Sequence, residues 1–108
     1  MHYDIIIVSS LKLDEKLLEG FNYLLVENAE INDDYSITYQ NKNIKYDFLI
    51  IDKLYDNLKT LKEDKRIITN QFFETSIENV FAIGPINNSP LKVNKQLQII
   101  LNHLKNPL

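Results

Sequence analysis

At 108 residues, with 44% hydrophobic and 25% charged residues, the chain has the size and balance of one small globular domain, residues 1–108, with a core of its own. Its 12 basic and 15 acidic side chains are mixed along the sequence and leave a net charge of -3 without a basic stripe, so neither nucleic acid nor a membrane surface is an expected partner. The lack of cysteine excludes a disulfide framework, a thiolate metal site and any cysteine-based redox or nucleophilic chemistry supplied by this chain.

In chain order, Tyr3 to Val8 is β-branched and almost continuously apolar, as a central parallel strand covered on both faces must be. The run Ile5 to Val8 is too short for a signal peptide or a membrane span, so a cytoplasmic location is expected. Ser9 and Ser10 are suited to cap a short helix, on which Leu13, Leu17 and Leu18 recur before Gly20 ends it. Tyr23 to Val26 predicts a second buried strand finishing at Glu27. Strand, helix and strand then form a compressed βαβ unit with a right-handed crossover.

The middle of the chain changes period. Tyr35 to Tyr39 alternates polar and apolar residues, Gln40 to Asn43 supplies turn chemistry, and Ile44, Tyr46, Phe48 and Ile50 alternate again, which predicts a β-hairpin. Its second arm turns apolar on both faces at Phe48 to Ile51 and is expected to join the central sheet, while Tyr35, Tyr39 and Tyr46 offer an aromatic ribbon to a partner. Leu54, Leu58 and Leu61 suggest a short surface helix or ordered loop, and Arg66 to Thr69 and Gln71 to Glu74 suggest short edge strands. Asn79 to Ile83 predicts a strand that ends at Gly84-Pro85. From Leu91 to Leu104 the apolar residues Leu97, Ile100, Leu101 and Leu104 keep the helical period, and Asn106-Pro107 closes the helix.

Local chemistry is sparse. His2 and His103 lie near opposite ends of the sequence with no acidic partner at ligand spacing, so solvation or packing is the expected role and no metal site is assigned. Ser9-Ser10 lacks a G-x-S-x-G elbow and a neighbouring base, and no catalytic residue is assigned. Asp33-Asp34 and Glu63-Asp64 read as solvated turns.

Three phrases carry a family resemblance. Tyr3-Asp-Ile-Ile-Ile-Val8 resembles the first strand of flavin- and NAD(P)-dependent disulfide oxidoreductases, and Lys45-Tyr-Asp-Phe-Leu-Ile-Ile51 resembles the strand that returns to their flavin domain. Thr75-Ser-Ile-Glu-Asn-Val-Phe-Ala-Ile-Gly84 is similar to the C-terminal flavin motif T-S-x-P-G-V-F-A-x-G-D. Pro90-Leu91-Lys92-Val93 is similar to the P-L-R-Q that follows in thioredoxin reductases. The resemblance implies an α/β fold, a small Rossmann-like, FAD/NAD(P)-binding-like parallel sheet with a β-hairpin and a C-terminal helix, reduced to the flavin-binding domain.

Departures from the family pattern limit what the resemblance implies. Where relatives place G-x-G-x-x-G this chain has Ser9 to Asp14 without glycine, which hinders close approach of a pyrophosphate. Pro85 stands where the family has the Asp that bonds the flavin, and Gln96 to Leu101 puts bulky side chains where relatives have small ones. The expectation is therefore a non-catalytic thioredoxin reductase-like interaction module that has lost its flavin pocket, holds no cofactor and forms a homodimer or binds a protein partner. The alternative is a small FAD- or dinucleotide-binding redox protein acting with a separate partner. In it Ser9, Ser10, Glu27, Gly84, Pro85 and Ile86 line the cofactor cleft.

Overall fold

Ile5, Ile6, Ile7 and Val8 are all buried, because strand β1 (His2–Val8) has a neighbour on each edge and apolar cover on each face. The computed structural model describes residues 1–60 and 62–106. The remaining strands are β2 (Tyr23–Val26), β3 (Glu30–Ile31), β4 (Ser36–Tyr39), β5 (Lys42–Ile51), β6 (Lys62–Glu63), β7 (Arg66–Ile67) and β8 (Val80–Ala82), and helix α1 spans Val93–Lys105. β1 runs parallel to β2 on one side and to β5 on the other. The ten-residue β5 divides its far edge: its first half pairs antiparallel with β4, its last residues pair parallel with β8. β3 adds to β4 as an antiparallel edge, and β6 and β7 form a separate two-stranded ribbon.

The hairpin turn between β4 and β5 is made by Gln40 and Asn41, both with positive φ, 50° and 61°. Two left-handed residues in a two-residue loop match the twist of the flanking strands. Asp64 and Lys65, at 51° and 64°, repeat the device between β6 and β7.

The sheet separates two apolar clusters. Ile5, Ile7, Ile50, Phe81 and Ile83 face Leu97, Ile100 and Leu101 of α1. Ile6, Val8, Leu49, Ile51 and Ala82 face the other way, toward Ile31, Ile37, Ile44 and Ile67. Each fully buried branched side chain contributes roughly 1.5–3 kcal/mol, so the helix is held by its apolar stripe.

The expected Rossmann-like parallel α/β sheet does not form. The sheet is mixed, with β3, β4 and the first half of β5 antiparallel, and the described residues contain only one α-helix. A doubly wound sheet draws a helix from each parallel crossover. Here the β1-to-β2 crossover holds one 3-10 turn, Glu15–Leu18, and the β5-to-β8 crossover holds the ribbon and irregular turns. One face is therefore covered by α1 and the other by loops, ribbon and hairpin.

Smaller expectations also change. Asp14, not Ser9 or Ser10, caps the 3-10 turn, accepting from the Lys16 amide at 3.1 Å. Of the helix or ordered loop expected at Leu54 and Leu58 the structure has the loop, both residues lying in irregular backbone, and Leu61 and Pro107 fall outside the described residues. Gln71 to Glu74 forms no strand beyond an isolated bridge from Glu74 to Phe81. The aromatic ribbon is mostly inward: Tyr46 is 5% exposed and Tyr39 packs on the core, while Tyr35 stays 45% exposed.

Candidate functional site

Strand register brings three chain exits together. Val8 pairs with Ile51, and Ile51 pairs with Ala82, so Ser9, Asp52 and Ile83-Gly84 leave the sheet side by side at its carboxyl edge. In open α/β sheets ligands bind outside this carboxyl edge, in the loops that follow the strands.

At the first two exits the polar groups bind each other. The buried Ser9 hydroxyl donates to Asp52 Oδ2 at 2.9 Å, and the Ser10 amide donates to the same oxygen at 3.2 Å. Ser9 Oγ in turn accepts from the Leu11 amide at 3.0 Å. Donors of the kind that hold a phosphate are thus directed at a carboxylate of the same chain. A phosphate placed there would have to displace Asp52 and would meet its negative charge.

The third exit is closed in a similar way. Gly84, at φ +80°, donates its amide to Gln96 Oε1 at 3.0 Å, and Asn87 Nδ2 donates to that oxygen at 2.9 Å. Gln96 Nε2 donates to the Leu91 carbonyl at 2.8 Å, and Asn87 Nδ2 also donates to the Ala82 carbonyl at 2.9 Å. Gln96 and Asn87 are both buried, and together they tie the loop between β8 and α1 to the helix. Leu11 lies across Gly84: a Cβ on that glycine would sit 2.6 Å from Leu11 Cδ1.

The residues expected to line a cofactor cleft therefore separate into groups. Ser9 and Ser10 meet Asp52; Gly84, Pro85 and Ile86 form a 3-10 turn in which Gly84 is buried, Pro85 exposed and Ile86 packed on the second cluster. Glu27 is exposed just beyond β2 and makes none of these bonds. Of the bulky helix residues, Gln96, Leu97, Ile100 and Leu101 are buried, whereas Gln98 is exposed and Ile99 half-buried. Beside Leu11 and Gly84 runs a groove of about 340 Å³ bounded by Leu91 and Val93. It shares Ser89 and Leu91 with a second groove of about 410 Å³ lined by Ile67, Ile68 and Phe73.

Asp52 and the acceptor role of Gln96 were not evident from local pattern. Asp52 is the first polar residue after β5, as Ser9 is after β1, and two parallel strands ending in register set such residues together. Gln96 is the polar residue beside the apolar stripe of α1. His2 likewise has an acidic partner that its neighbours in sequence did not suggest, Asp47, with Nε2 to Oδ1 at 3.0 Å.

Among the described residues no helix is long and apolar enough to cross a membrane. The chain matches no protein-family model and no curated protein.

Proposed function

We propose that the domain is a non-catalytic interaction module that works by pairing with a second copy of itself. The observation that carries this reading is the pair of bonds from Ser9 Oγ and Ser10 N to Asp52 Oδ2, at 2.9 and 3.2 Å, which uses internally the donors a nucleotide phosphate requires. The three phrases lie on β1, on β5 and across β8, strands that adjoin one another in the sheet, and supply no cofactor site there. Exposed Ile68 and Leu91, at 46% and 42%, flank the larger groove and are the apolar surface assigned to the contact. A cytoplasmic place of action belongs to the same proposal.

Sedimentation velocity over a wide concentration range tests it. The expected result is a concentration-dependent dimer that Ile68→Asp with Leu91→Asp converts to monomer. Monomer at every concentration would overturn the pairing. The alternative, a small FAD- or dinucleotide-binding redox protein, requires Asp52 to release both serines. It predicts a melting temperature that rises when FAD, FMN or NAD(P) is added.

A further inference from the structure

Away from the serine-bearing edge, His2 and Asp4 of β1 and Asp47 of β5 come together on the surface. The parallel register pairs Tyr3 with Tyr46 and Ile5 with Phe48, which sets Asp4 beside Asp47. One donor atom from each of the three side chains lies within 4.8 Å of the others, and all three residues are exposed. The His2 Nε2 to Asp47 Oδ1 separation is 3.0 Å.

The site sits where both strands change face. Tyr46 and Leu49, three positions apart, pack in the same cluster, and so do Tyr3 and Ile6. Strict alternation would send each pair to opposite faces. The slip falls at the level of Asp4 and Asp47 in both strands, and both residues are exposed there. Because hydrogen-bonded strands carry all three donors, their spacing is set by the backbone rather than by a mobile loop.

Charge is unbalanced at this place. Like charges on directly neighbouring strands are destabilising. Among the described residues Asp4 has no side-chain hydrogen bond or ion pair, and Asp47 has only His2. Lys45, which lies opposite His2 in the register, is turned to Asp34 at 3.9 Å. A divalent cation would neutralise both carboxylates and take the place of the proton shared by His2 and Asp47.

We propose that His2 Nε2 and the carboxylates of Asp4 and Asp47 form a three-ligand site for a divalent first-row transition ion. Ligand bonds of about 2.0–2.2 Å in tetrahedral geometry put donors roughly 3.4 Å apart, which side-chain rotation from the observed spacing reaches. An imidazole nitrogen with two carboxylates suits Zn²⁺ and its neighbours, whereas Ca²⁺ and Mg²⁺ take shells of oxygen. Three protein ligands leave at least one position for water.

The test is isothermal titration of Zn²⁺ into the full chain, stripped with chelator and carrying no histidine tag. One ion per chain is expected, with binding weakened by at least about tenfold in His2→Ala, Asp4→Asn and Asp47→Asn, on the scale that loss of even a supporting residue costs a metal site. All three side chains are exposed, so the variants should keep the parent circular dichroism. His103→Ala serves as control for the other histidine, which lies 3.8 Å from Glu74, and should leave the titration unchanged. No binding in the parent, binding that survives Asp4→Asn and Asp47→Asn, or loss confined to His103→Ala would each overturn the site. Effective competition by millimolar Mg²⁺ would overturn its assignment to a transition ion.

Discussion

Leu11 Cδ1 occupies the position beside Gly84 that any side chain there would enter, 2.6 Å from where its Cβ would be. The glycine is also held at φ +80°, a conformation L-residues avoid, and its amide is fixed by Gln96. Backbone and side chain thus make the same demand at this position. Gly84→Ala should lose about 1–2 kcal/mol from the left-handed backbone alone, with a further cost as the Leu11 tip moves aside. Urea denaturation of a double-mutant cycle separates the two. Leu11→Ala should cost less in the Gly84→Ala background than in the parent, whereas strict additivity would show that the side chains do not meet.

Gln96 serves three groups at once, and its loss should be felt at each. Gln96→Leu keeps the volume but leaves the Gly84 amide and the Leu91 carbonyl unpaired and removes one of two acceptors from Asn87. An unsatisfied buried group costs about 1–3 kcal/mol; the Gly84 amide is buried and the Leu91 carbonyl only partly so, and a loss of roughly 1–3 kcal/mol is expected in denaturant unfolding. Protection of the Gly84 amide from hydrogen exchange should fall selectively. A variant as stable as the parent would mean that water replaces the amide without penalty.

Much of this arrangement is legible from the residues. The strands at Tyr3–Val8 and Tyr23–Val26, the hairpin, the strand before Gly84 and the final helix follow from runs of apolar residues and their period. The covering of the sheet does not, because nothing in Ser9 to Asn22 says that Leu17 and Leu18 will ride on a 3-10 turn rather than an α-helix. β3 escapes detection because a two-residue strand carries no period. Asp52 escapes for a different reason: its partners Ser9 and Ser10 lie 43 and 42 residues away, and only strand register brings them together. Gln96 reads locally as bulk in a helix, and its value as an acceptor depends on a loop that must fold back over it.

Alkaline pH should weaken the fold through two tyrosines. Burial, followed by the proximity of Tyr35 and Asp34, pushes the Tyr46 phenol up to about 12, and burial with Asp52 nearby does the same for Tyr55, to about 12. Both are raised above the unfolded value near 10, so the folded state holds more protons between those limits. Their contribution is fully present below about pH 10 and is lost as pH rises through about 12. Phenolate absorbance of the folded protein should lose two late-titrating tyrosines in Tyr46→Phe with Tyr55→Phe. The opposite trend, stability rising across this window, would contradict the assignment.

Tyr55 offers a stabilising change at neutral pH. Its hydroxyl is buried and has no hydrogen-bond partner among the described residues. Tyr55→Phe removes that group and keeps the ring, so unfolding in urea should show a gain of about 1 kcal/mol. A loss of similar size would mean that the hydroxyl is satisfied in solution.

The sealing of the strand ends is tested most directly by following the backbone amides of Ser10 and Gly84 in a ¹H–¹⁵N spectrum while FAD is added to millimolar concentration. Both amides are committed to Asp52 and Gln96, and their resonances should stay where they are. Saturable shifts at Ser10 and Gly84 together would show that the flavin displaces Asp52 and Gln96, and would contradict the account.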